Sequence, residues 1–244
     1  MWVISLLKIL PGNSNQNILN NKYWSEMNLF EIFLKGGVIM WAILFCSVIA
    51  LAVAIDRFLV LRRVKINLPA FMVRIRGFIK NKDMSGAASF CLREKSPIGN
   101  MVRKGLKKFG MGHERVKEAI ENAGRQEISK LEKGLSILAT VAGVAPLLGF
   151  LGTVTGMIQA FMRIEDLAGA ANPSDLAGGI WEALLTTAFG LIVGIPSYAF
   201  YNYFVSAIKK FVSDMETVAN DVVDTMQDSS RESVDIEDEI EIDM

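Results

Sequence analysis

LAGGIWEALLTTAFGLIVGIPSYAFYNYFVSAI, residues 176–208, contains one charged side chain, Glu182. A hydrocarbon core about 30 Å thick needs about 20 helical residues to cross it. This stretch is long enough, and only a helix satisfies its own backbone in lipid, because a lone strand cannot. Two further runs, Gly36 to Ile55 and Gly134 to Met162, carry no charge at all. The sequence therefore predicts an all-α, three-span polytopic membrane protein, with transmembrane helices at 36–55, 134–162 and 176–208. Of its 244 residues, 51% are hydrophobic and 21% charged, which is more apolar than a soluble domain ordinarily is.

The charges next to the spans set an orientation. Residues 56–133 hold 19 Lys or Arg against 8 acids, with Arg57, Arg62, Arg63 and Lys65 just after the first span. Lys130 and Lys133 precede the second span, and Lys209 and Lys210 follow the third. The loop 163–175 has one base against three acids. Basic flanks stay in the cytoplasm, so the expected arrangement is a multi-pass membrane protein, whose outside in a bacterial cell would be the periplasm. Its N-terminus and the 163–175 loop are periplasmic, while the 56–133 region and the C-terminus are cytoplasmic.

Outside the spans, apolar residues recur at helical spacing. Phe71, Ile75, Phe78 and Ile79 form one stripe, and Ile98, Val102, Leu106 and Phe109 a second. Val116, Ile120, Ile128, Leu131 and Leu135 lead into the second span, so 113–162 reads as one nearly continuous helix, bent at Gly143 or Pro146. Phe211, Met215, Val218, Val222 and Met226 carry the third span on as a 209–227 extension. The expectation is long helices reaching into a cytoplasmic helical bundle. The lead, 1–35, opens with an apolar stretch too short to span and lacks the basic start of a signal peptide. The tail, 228–244, has eight acids and one Arg and reads as disordered.

Several functions are excluded early. With 26 basic and 26 acidic residues there is no overall basic surplus for nucleic acid. Cys46 and Cys91 lie far apart, and His113 is the single histidine, so no disulfide framework, metal cluster or cofactor site is expected. An intramembrane enzyme would need a second acid, a His or a Ser-Lys pair beside Glu182, and the spans offer no such set.

Glu182 is the informative residue. Placing a charged acid at mid-span costs about 2.5–3.5 kcal/mol, so it should face protein or water. A carboxyl shielded from bulk water is also suited to taking up and releasing a proton. Thr186 lies one turn on, Thr187 on nearly the same face, and Gly190 and Gly194 extend the line. The second span offers a matching small face in Gly149, Gly152, Thr153 and Gly156. Small faces let helices approach closely and keep hydroxyls along the seam. Pro146 and Pro196 each remove a backbone donor near this region. For the threonines, plain helix packing is an equally open reading at this point.

The stretches APLLGFLGTVTGMIQAF (145–161), GIWEALLTTAFGLIVGIPSYAFYN (179–202) and DRFLVLRR (56–63) resemble the MotA/TolQ/ExbB proton channel family. Three spans with an outside N-terminus resemble its ExbB/TolQ branch. The resemblance implies a homo-oligomeric ring of five subunits around a one-span partner of the ExbD/TolR type, which supplies a membrane aspartate. By the same likeness Glu182 is the membrane glutamate of the proton pathway, and Thr153 and Thr187 are its pore threonines. Proton flow would then drive a TonB- or TolA-like protein. Trp181 departs from the family's small residue at that position.

The sequence leaves several choices open. A non-conducting membrane scaffold, recruiting partners through its basic loop, is the alternative function. A lone acid suits protons better than sodium, which needs several oxygen ligands. Whether the system serves outer-membrane import or envelope maintenance is not written in these residues.

Overall fold

The computed structural model describes residues 33–242, apart from 65 and 168–171. Most of the lead, the middle of the 163–175 loop and the last two residues of the tail therefore lie outside the described residues. Every regular element within them is an α-helix: α1 (Gly37–Val64), α2 (Leu68–Lys80), α3 (Met84–Glu94), α4 (Pro97–Leu106), α5 (His113–Glu132), α6 (Leu135–Asp166) and α7 (Pro173–Ile242). Three stretches are long and apolar enough to cross a membrane: 37–64, 113–166 and 176–229. The fold is thus all-α with three candidate spans.

The described chain forms two compact units. The first holds the start of α1, α6 from Gly143, and α7 as far as Gly194. Its outward residues are large and apolar: Phe45, Leu147, Phe150 and Leu184 are each more than 60% exposed. Such a surface is a liability in water and natural against lipid or another subunit.

The second unit holds α2 to α5, the rest of α1, the start of α6 and α7 from Ile195. Its short helices begin at side-chain caps. Asn67 accepts from the Ala70 amide, Asp83 from Gly86 and Ser96 from Gly99, and a proline follows in the first turn of α2 and of α4. Each cap satisfies an amide that has no partner within the helix. Ile75, Ile79, Ile98, Val102, Ile120 and Val222 are 1% exposed or less and form the core. All belong to the stripes read from the sequence. The α3 contribution, Ala87 and Cys91, was not among those stripes. Burial pushes the Cys91 thiol up to about 12, so its reactive thiolate is scarce at neutral pH. Arg76 pairs with Asp221 and Ser229 Oγ donates to the Ile79 carbonyl, fastening α7 to α2.

One expectation needs correction. Gly143 and Pro146 both lie within α6, and the helical run breaks earlier, at Lys133-Gly134, where Gly134 has φ +84°, a conformation glycine adopts without a side-chain penalty. The helix expected to be continuous over 113–162 is therefore two helices. In the structure α7 continues to Ile242. No Gly or Pro occurs after Pro196 to stop it, and helix growth is cooperative once begun.

The break at Gly134 gives Arg57 a task. Its guanidinium, held by the neighbouring Asp56, donates to the carbonyls of Lys130 at 3.1 Å and Leu131 at 3.2 Å. These lie in the last turn of α5, where carbonyls have no helical partner. Arg57 is 9% exposed. We expect Arg57→Met to lower stability by about 1–3 kcal/mol, the cost of stranding buried acceptors. Thermal unfolding of the detergent-solubilised protein would measure it. Lys should rescue only in part, since one ammonium does not reproduce the fork. An unchanged melting temperature for the Met variant would remove the capping role.

Candidate functional site: the seam between two spans

The site is built where α6 and α7 touch. Glycines set the distance. A β-carbon on Gly149 would lie 2.8 Å from the Thr186 carbonyl oxygen, one on Gly156 2.7 Å from that of Gly179, and one on Gly190 2.7 Å from that of Ala145. All three obstacles are backbone atoms, so the helices pack main chain to main chain. Gly152 leaves its space to the Thr186 side chain, which is fully buried.

The hydroxyls of the two spans are committed, those of Thr186 and Thr187 at the seam. Thr187 donates across it to the Gly149 carbonyl at 3.1 Å. Thr186 donates within its own helix to the carbonyls of Glu182 (3.0 Å) and Ala183 (2.9 Å). Thr153, half-buried, donates to the Phe150 carbonyl at 2.6 Å. A hydroxyl that already donates still offers acceptor lone pairs. To a water, a hydrated proton or a cation, these threonines present oxygens only.

Glu182 is half-buried and takes a different neighbour. Its carboxyl rests against Gly37, the first residue of α1. The structure thus brings Gly149, Gly152, Gly156, Thr186, Thr187 and Gly190 into one seam, and sets Glu182 beside it against α1. Glu182 and Thr187 do not share a face. Four residues along a helix turn about 40°, whereas five turn about 140°, so Thr186 follows Glu182 and Thr187 does not. Gly194 is buried, Pro146 half-buried within α6, and Pro196 exposed within α7. Gly37 escaped the sequence reading because it stands at the edge of an uncharged run, far along the chain from Glu182. Among the described residues, no three His, Cys, Asp or Glu are grouped to hold a metal.

Residues 93–217 match the MotA/TolQ/ExbB proton channel family. The chain belongs to that family. The match includes both long motifs, 145–161 and 179–202, whereas 56–63 lies outside it. A biopolymer transport protein ExbB homolog of Methanothermobacter thermautotrophicus is 30% identical over 195 residues, covering 78% of this chain and 67% of its own. Biopolymer transport protein ExbB of Xanthomonas campestris pv. campestris is 37% identical over 127 residues, half of each chain. Among solved structures, a chain in "Structure of C. jejuni MotAB" has a TM-score of 0.59 at 16% identity, covering 88% of this chain and 86% of its own. At that identity the likeness concerns the fold. Membership of the MotA/TolQ/ExbB family makes this a channel-type, multi-pass membrane protein.

Proposed function

We propose that this chain is the proton-conducting stator subunit of an energy-transducing complex in the bacterial inner membrane, coupling proton motive force to mechanical work. It is not an enzyme in this reading. The observation that carries the proposal is Glu182: the one acid of a long apolar run, turned against protein at Gly37 and set beside the glycine-threonine seam. A carboxyl in low dielectric is costly as a fixed charge and useful as a proton carrier.

The finer points of the reading follow the family. Copies of the chain form a ring, five in number, around a one-span partner of the ExbD/TolR type whose membrane aspartate completes the path. The exposed apolar faces of the spans supply surface for both lipid and neighbouring copies. The N-terminus is periplasmic and the C-terminus and helical bundle cytoplasmic, by the basic flanks. The work is delivered to a TonB- or TolA-like protein, for outer-membrane import or envelope maintenance.

The test is proton flux in proteoliposomes holding the chain with its one-span partner, wild type against Glu182→Gln. Gln keeps the size and cannot carry a proton. With assembly verified in both samples, flux should fall to the level of protein-free liposomes. Equal flux would end the proposal and favour the scaffold, in which the seam only packs helices.

A further inference from the structure

We propose that Gly37 is a positioning residue for Glu182: by having no side chain, it leaves the seat in which the Glu182 carboxyl rests. The inference deepens the reading of Glu182 as the proton carrier and rests on it.

Two independent features tie the glycine to the acid's position. A β-carbon on Gly37 would fall on Glu182 Oε1, with Cδ at 2.9 Å. The backbone at Gly37 has φ +65°, a region costly for most L residues. The lack of space and the conformation coincide at a residue that faces the acid. Gly37 also opens α1, so the first-turn amides have no helical acceptor and the positive end of the helix dipole lies towards the carboxyl. Met40, one turn on, is 1% exposed, so the start of α1 is held by packing. Held there, the carboxyl is sheltered from lipid and kept in place along the span. Once the seat is filled, it must swing out.

The experiment labels the full-length chain in membranes with dicyclohexylcarbodiimide, which adds to protonated carboxyls, and follows modification of residue 182 by mass spectrometry. Gly37→Asn keeps the left-handed backbone, which Asn tolerates, and fills the seat. Gly37→Ala, the smallest side chain that fills it, is the second variant should Asn disturb folding. Either variant should be labelled at Glu182 several-fold faster than wild type. In a Glu182→Asp background, where the shorter side chain stops short of the seat, the same substitution should change labelling little, a non-additivity diagnostic of direct contact. Unchanged labelling, or equal acceleration in both backgrounds, would overturn the seat while leaving the Glu182 reading intact. Wild-type flux in Glu182→Gln would instead overturn the reading and the inference together.

Discussion

Gly156→Leu is expected to force α6 and α7 apart and to lower the protein's melting temperature sharply. The β-carbon of residue 156 would lie 2.7 Å from the Gly179 carbonyl oxygen and 3.0 Å from both the Ala183 amide nitrogen and its β-carbon. Overpacking a filled interior costs about 1–3 kcal/mol when side chains can shift. Here the obstacle is main chain on a facing helix, so the cost belongs at the upper end or beyond. Lipid gives no hydrophobic force to press the helices back together, since close packing is what holds them. As the seam opens, the Thr187 bond to Gly149 goes with it. Gly143 is the control. A β-carbon there meets nothing within 4 Å, and Gly→Ala in an open helical position gains about 0.5–1 kcal/mol. Thermal melts in detergent should separate the two variants in opposite directions. A wild-type melt for Gly156→Leu would contradict the packing described.

Val222→Asp should unfold the helical bundle while leaving the spans inserted. Val222 is fully buried among core residues of α2 to α5. The change forfeits about 1.5–3 kcal/mol of burial and places a carboxylate in an apolar core, costing several kcal/mol more. A domain's whole stability is about 5–15 kcal/mol. Limited proteolysis of membrane vesicles should then cleave within 68–132 much faster than in the wild type. Glu216→Gln, on an exposed position of the same helix, should shift stability by no more than about 0.5 kcal/mol. Equal protease resistance in Val222→Asp and wild type would mean that α7 does not close this core.

The sequence made the spans legible because lipid punishes charge so strongly that the uncharged runs mark themselves. Glu182 was legible for the same reason, as the exception within a run. The core stripes at Phe71–Ile79 and Val116–Leu131 followed from spacing alone. Other features depend on contacts that no local pattern records. Gly37 and Glu182 are neighbours only in the fold. Arg57 resembles any basic residue at a membrane edge until the carbonyls of Lys130 and Leu131 are seen above it. Gly143 and Pro146 draw attention as a glycine and a proline within an apolar run, yet both lie within α6. The break between α5 and α6 falls at Gly134, at the start of the run, which takes a positive φ.

The two kinds of glycine in this protein differ in how their loss could be repaired by evolution. Gly105 faces the Ile120 side chain, and Gly124 the sulfur of Met101. A larger residue at either position can be accommodated by trimming its neighbour, so compensating second mutations exist. Gly149, Gly156 and Gly190 face carbonyl oxygens, which every amino acid carries. No substitution across the seam can remove the obstacle, and reversion is the direct route back. The bundle core can therefore drift in pairs, while the seam is held fixed one residue at a time.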